Sequence, residues 1–182
     1  MSRWMAPILN FTAEDIWKQI PGNHEKSIFL EGWYQDLFSL NYDESMNMDF
    51  WQNIIETRSA VSKQLETLRN ENKIGSSLDA DVVIYCDSEL YNKLSQLEDE
   101  LRFVLITSEA KVDTIANANN DCIEATLVNG EKIKIATSAS ENTKCVRCWH
   151  HREDVGQHTE HPELCGRCVD NVAGDGETRR FA

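Results

Sequence analysis

Apolar residues recur at helical spacing over one long stretch of the chain and at strand spacing over another. From Met48 to about Lys73, Phe50, Trp51, Ile54, Ile55, Val61, Leu65 and Leu68 follow a 3.6-residue period, which predicts the longest helix. Arg58 falls inside that stripe and reads as a boundary residue whose stem lies along apolar surface. Gly75-Ser76-Ser77 ends the pattern and reads as a hinge. The first twenty residues are also helical in pattern, with Trp4, Met5, Ile8 and Leu9 expected in one cluster. Thr12 is expected to cap a second short helix through Ile16 and Trp17, which Pro21-Gly22 stops. Phe29, Leu30, Trp33, Tyr34, Leu37 and Phe38 then crowd a loop-like stretch that calls for packing partners, some of them outside this chain.

Beyond residue 80 the period changes. Val82-Val83-Ile84-Tyr85 reads as a strand, and Asp87 or Ser88 caps a helix carrying Leu90, Leu94, Leu97 and Leu101. Phe103-Val104-Leu105-Ile106 reads as a second strand. Ile123, Ala125 and Leu127 alternate, Asn129-Gly130 turns, and Ile133 and Ile135 alternate again, which is a strong hairpin signal. The expected architecture is α+β: a helical part over residues 1–72, a small α/β domain with a β-hairpin over 73–143, and a C-terminal module over 144–182.

Charge narrows the partners. The net charge is −13 over 182 residues, and it is uneven. Residues 1–72 carry six Lys/Arg against eleven Asp/Glu, residues 73–143 six against thirteen, and residues 144–182 six against seven. Such a chain does not coat nucleic acid indiscriminately, because that binding is driven by phosphate attraction. Any contact must be local and shape-dependent, or helped by parts of a larger protein. There is no leader-like N-terminus, and no apolar run reaches the ~18 residues of a membrane span. The expectation is a cytoplasmic chain, monomeric and without a membrane partner, whose thiols stay reduced.

Cysteine spacing carries the chemistry. Cys145-x2-Cys148 and Cys165-x2-Cys168 are separated by sixteen residues, the pattern of a four-cysteine zinc site. Each pair forms a knuckle that aims two thiolates at one point, and two knuckles complete a closed tetrahedral shell for one structural Zn²⁺. The alternatives are a redox dithiol, a pair of disulfides, or Cys3His ligation through a histidine such as His161. Gly166 suits a positive backbone dihedral in the second knuckle. Arg147 and Arg167 occupy equivalent places before the second cysteine of each knuckle. They either reach phosphates or bases, or offset the charge of the thiolates. Trp149 either stacks on an unpaired base or caps the small core. Cys86 and Cys122 read as small core residues. No phosphate-binding glycine loop, H-E-x-x-H or G-x-S-x-G is present, and no catalytic residue can be named.

The tail Lys144-Cys145-Val146-Arg147-Cys148-Trp149-His150, then Cys165-Gly166-Arg167-Cys168-Val169, then Asn171-Val172-Ala173-Gly174-Asp175-Gly176-Glu177, closely resembles the end of bacterial isoleucyl-tRNA synthetases. Arg3-Trp4-Met5-Ala6-Pro7-Ile8-Leu9, Lys73-Ile74-Gly75-Ser76-Ser77-Leu78-Asp79-Ala80 and Glu100-Leu101-Arg102-Phe103-Val104-Leu105 also look like that family. The resemblance implies a C-terminal piece of a class I synthetase. Residues 1–72 would end the helical anticodon-binding domain, 73–143 would be a junction domain, and 144–182 the zinc end that helps hold the anticodon region of isoleucine tRNA. The family's H-x-G-H and K-M-S-K-S type signatures are absent. The ATP, amino-acid and editing sites would therefore lie in an upstream synthetase body, and the fragment alone is expected not to aminoacylate. Two rival expectations are a protein-interaction zinc ribbon and the C-terminal zinc finger of a DNA glycosylase. The second is weakened by Ser2-Arg3 where a catalytic Pro-Glu would stand.

Overall fold

The structure, a computed structural model, describes residues 1–35, 37, 39 and 44–181. Backbone contacts divide the chain into two units, Met1–Tyr42 and Asp43–Ala182.

In the first unit, α1 (Ser2–Met5) and α2 (Asn10–Gln19) precede a 3-10 turn at Ile28–Leu30. Ala13 and Trp17, four residues apart on α2, meet Ala6 and Ile28 in a small core. Trp17 Nε1 donates to Glu25 O at 2.8 Å, and the Glu14 carboxylate accepts from Ser27 Oγ and the Ile28 amide. The chain leaves the helix before Pro21, because the residue preceding a proline avoids the helical region; Ile20 has ψ 124°. Two expectations fail. Thr12 lies inside α2, whose N-cap is Leu9. Trp4, Ile8 and Leu9 are at least half exposed, and of the expected cluster only Met5 packs against the core. Phe29 and Trp33 are exposed too, and Phe38 lies outside the described residues.

The second unit opens with α3 (Met48–Asn70), capped by Asn47 Oδ1, which accepts from the Phe50 amide at 3.0 Å. Its buried face runs Phe50, Ile54, Thr57, Val61 and Leu65. Thr57 keeps the helical register across the middle turn, so Arg58 and Ile55 face solvent, against the predicted stripe. The predicted hinge is a tied turn instead. Ser76 and Asp79 form a capping box around a 3-10 turn at Ser77–Asp79, and the Asp79 carboxylate also accepts from the Gly75 amide.

There follow β1 (Ala80–Cys86), α4 (Ser88–Ser95), a 3-10 turn at Glu98–Glu100, α5 (Leu101–Leu105), β2 (Glu109–Thr114), β3 (Ile123–Thr126) and β4 (Lys132–Ala139). The four strands form one sheet in the order β2-β1-β4-β3. β1 and β2 are parallel, joined through α4 and α5, and the other pairs are antiparallel. Asp87 caps α4 by accepting from the Glu89 and Leu90 amides. The β3–β4 hairpin turns at Gly130, whose φ of 86° is one that glycine adopts without strain.

Ala80, Val82, Ile84 and Cys86 alternate into the core, where they meet Ile133, Ile135 and the leucines 90, 94, 97 and 101. The apolar face of α3 enters the same core, so this helix packs with the sheet rather than apart from it. Each such leucine or isoleucine contributes about 1.5–3 kcal/mol by burial.

Phe103-Val104-Leu105 is helical, contrary to the predicted strand, and Ile106 ends α5 in the left-handed region at φ 59°. Leu97, Leu101 and Leu105 extend the i, i+4 series begun at Leu90, and that longer period outweighs the short apolar run. The actual partner strand, β2, is a half-exposed edge without a clean alternation. Cys86 is buried as expected, but Cys122 is not a core residue: it is partly exposed, and its thiol donates to Asn119 Oδ1. Beyond the sheet, β5 (Thr143–Lys144) pairs antiparallel with β6 (His151–Arg152), and α6 (Gly166–Ala173) follows. Among the described residues no helix is long and apolar enough to cross a membrane.

Candidate metal centre and nucleic-acid surface

The β5–β6 ladder holds the first knuckle between its strands. The Cys145 amide donates to His150 O and the Trp149 amide to Cys145 O, each at 2.9 Å, which curls Cys145-Val146-Arg147-Cys148 back on itself. The second knuckle is the start of a helix: Cys165 is the N-cap of α6 and Cys168 lies in its first turn. The two are laced together, with the Cys165 amide directed at Cys145 Sγ and the Val146 amide at Glu163 O.

All four sulfurs lie within 4.8 Å of one another, and Cys148 Sγ is 3.7 Å from Cys165 Sγ. Zinc–sulfur bonds of about 2.3 Å in a tetrahedron place sulfurs about 3.8 Å apart, so the donor set suits one zinc ion. Cys145, Cys165 and Cys168 are buried and Cys148 is half-buried, with Val155 and Leu164 packed around them. Burial pushes the Cys145 thiol up, but the amides of Cys148, Cys165 and Arg147 outweigh it and bring the thiol down to about 6. Burial drives Cys148 and Cys165 the other way. Several thiolates packed this closely repel one another, and a divalent cation removes that penalty.

No histidine joins the cluster among the described residues. His150 Nδ1 donates to Cys148 O, and its ring meets Phe103 edge-on with centroids 5.7 Å apart. Burial and the Arg102 guanidinium push His150 down to about 4, so it is neutral at pH 7. His151 Nδ1 donates to Asn142 O.

The knuckle residues fall in different places. Arg147 is exposed, and its Nη1 donates to Cys168 Sγ at 3.6 Å, which offsets thiolate charge. Trp149 is 61% exposed and does not cap the core; its backbone sits at φ 67°. Arg167 turns inward, with its Nε and Nη2 donating to the two oxygens of Glu177 and its guanidinium 4.8 Å from the centre of the Phe103 ring. The partners Glu177, Phe103 and Asp154 escaped sequence reasoning, since nothing local ties them to the cysteines.

Gly166 is not among the positive-φ glycines, so its expected role is corrected. Its reason is space. A Cβ there would meet Asp154 Oδ2 at 2.9 Å and His158 Nε2 at 3.3 Å. Asp154 Oδ2 accepts from the Gly166 amide and cannot withdraw without losing that bond. We expect Gly166→Ala to cost about 1 kcal/mol and to speed zinc loss to a chelator several-fold. Unchanged release kinetics would show that the loop around Asp154 yields freely.

The module is fixed to the α/β unit by polar contacts. The His151 amide donates to Ser108 Oγ, Arg152 Nη1 to Ser108 O at 3.3 Å, and Lys144 Nζ pairs with Asp79 Oδ1 at 3.1 Å.

Two stretches of the chain match known family models. Residues 1–84 match a model of the anticodon-binding domain of tRNA ligase, and residues 143–171 match a zinc finger found in FPG and IleRS. The first match is to a domain of tRNA ligases, and the second covers the four-cysteine cluster, which suits one structural zinc. The chain is 54% identical over 181 residues to the isoleucine–tRNA ligase of Methylococcus capsulatus, covering 100% of the chain. It is 50% identical over 180 residues to that of Alkalilimnicola ehrlichii and 51% identical over 180 residues to that of Yersinia pestis, covering 99% of the chain in each case. It spans 19% of the length of each of these relatives. Over its whole length the chain is thus similar, at about half identity, to the C-terminal part of isoleucine–tRNA ligases.

Proposed function

We propose that this chain is the tRNA-binding C-terminal region of an isoleucine–tRNA ligase and acts on the anticodon region of isoleucine tRNA. Cys145, Cys148, Cys165 and Cys168 hold one zinc whose part is structural: it leaves no open position for substrate. Residues 1–72 belong to the helical anticodon-binding part, 73–143 to the junction, and 144–182 to the zinc end. The observation that carries this reading is Trp149, a bulky residue held exposed and at positive φ beside the sulfur cluster. Strain of this kind persists where the surroundings impose it, and it gathers at functional sites. An exposed indole offers a stacking face to an unpaired base, and Arg147 beside it offers a guanidinium to phosphate.

ATP, isoleucine and editing chemistry belong to the remainder of the ligase, and this chain alone does not aminoacylate. It works in the cytoplasm as a monomeric part of that larger protein. Because the chain carries −13, most phosphate neutralisation comes from elsewhere in the ligase, and binding by this chain alone is weak and salt-sensitive. Gel-shift competition tests the reading: isoleucine tRNA should displace bound RNA at concentrations where duplex DNA does not. Absence of any nucleic-acid binding would favour a protein-interaction ribbon, and preference for duplex DNA would favour a glycosylase-like finger. Tight binding at physiological salt would overturn the expected division of charge.

A further inference from the structure

Arg147 and Arg167 stand at equivalent positions of the two knuckles, yet the fold uses them differently. Arg147 is exposed, while the Arg167 side chain is only 20% exposed and engages Glu177 through two nitrogens. Three guanidinium groups gather on the Phe103 ring of α5: Arg102 at 4.1 Å, Arg167 at 4.8 Å and Arg179 at 4.7 Å from its centre. Glu177 ties two of them together, since Arg179 Nη2 lies 3.2 Å from its Oε1.

The tail then returns to the α/β unit. The Arg180 and Phe181 amides donate to the Glu100 carboxylate at 2.7 and 2.8 Å, and the Phe181 ring packs on the main core. Phe103 also meets the ring of His150, the residue next to Trp149, in an edge-to-face contact. A continuous physical path therefore runs from Glu177 through Arg167, Phe103 and His150 to the backbone of Trp149.

We infer that Arg167 and Glu177 are positioning residues: with Phe103 they form a clamp that sets how the first knuckle presents Trp149 and Arg147 to RNA. This rests on the tRNA-binding reading above and replaces a direct contact by Arg167 with an indirect one. Charge decides between the two. If Arg167 touched phosphate, Glu177 would hold it back, and neutralising Glu177 would release it and strengthen binding. If Arg167 is a clamp, neutralising Glu177 loosens the knuckle and weakens binding.

The test uses the full zinc-loaded chain, with affinity for isoleucine tRNA measured between about 50 and 200 mM salt, where each phosphate contact steepens the fall of affinity with salt. Zinc stoichiometry is followed in parallel. We expect Glu177→Gln to weaken binding on the order of 10-fold, with zinc retained and the salt slope unchanged. Arg167→Lys keeps the charge but loses the two-nitrogen grip and the ring contact, and should weaken binding similarly. The exchanged pair R167E/E177R should regain most of the affinity that R167E loses. Tighter binding by Glu177→Gln, wild-type affinity in Arg167→Lys, or a salt slope reduced by about 0.7–0.9 on losing Arg167 would each overturn the clamp. Zinc loss in Glu177→Gln would also overturn it, by making the pair part of the metal module's own stability. A wild-type chain that binds no tRNA would overturn the RNA reading itself, and the clamp with it.

Discussion

Chelating the zinc should unfold the chain from about Lys144 onward and leave the α/β unit intact. The reason is the distribution of apolar contacts. Among the described residues only Val155 and Leu164 pack alongside the cysteines, while Val146, Trp149 and Val172 are more than half exposed. Val169 is only partly buried, and Phe181 packs on the main core instead. So little burial cannot offset the conformational entropy of ordering some thirty residues, at about 1–2 kcal/mol each for the backbone. Structural zinc supplies about 10–16 kcal/mol in comparable peptides. The α/β unit loses nothing comparable, because its core contains no residue of the knuckles. Hydrogen exchange after chelation should show fast exchange across α6 and the β5–β6 ladder, with β1, β4 and α3 still protected. Cys168→Ser should behave in the same way. Persistent protection of α6 in the metal-free chain would overturn this account, and would mean that the Ser108, Asp79 and Glu100 contacts suffice to hold the module.

The parts of the structure that sequence reasoning reached are those encoded locally. The cysteine pairs, the hairpin around Asn129-Gly130, the Asp87 cap and the long helix ending near Asn70 each depend on residues within a few positions of one another. The failures share a different cause. Phe103-Val104-Leu105-Ile106 has the composition of a buried strand, and only its phase relative to Leu97 and Leu101 reveals a helix. Arg58 and Thr57 differ by one position, and the sheet decides which of them faces inward. Gly166 reads locally as a dihedral position, yet its constraint comes from Asp154, twelve residues away. The Phe103 clamp draws arginines from α5, α6 and the tail, and one sequence holds no record of such a meeting. Trp149 falls between these cases: its place after the knuckle was visible, but its exposure and positive φ were not.

Those two properties lead to an outcome in which stability and binding move independently. Replacing Trp149 with Ala should leave zinc bound, because the indole is 61% exposed and no part of the sulfur core. Replacing it with Gly should stabilise the module by up to about 1 kcal/mol, since glycine adopts a φ near 67° without the cost a side chain incurs. Both changes should weaken tRNA binding by about 5- to 150-fold, the equivalent of one stacked base at about 1–3 kcal/mol. Arg147→Ala should also weaken binding, but with a different signature: the salt slope falls by about 0.7–0.9 as one phosphate contact disappears, whereas loss of the uncharged indole leaves it unchanged. Zinc should stay bound in Arg147→Ala as well, because Cys168 keeps its place in α6 without the 3.6 Å contact from Nη1. The decisive measurement combines zinc stoichiometry, thermal midpoint and tRNA affinity for Trp149→Gly. A higher midpoint with weaker binding would show that the strain is retained for recognition. A lower midpoint or released zinc would show that the indole holds the knuckle together and that its exposure carries no functional meaning.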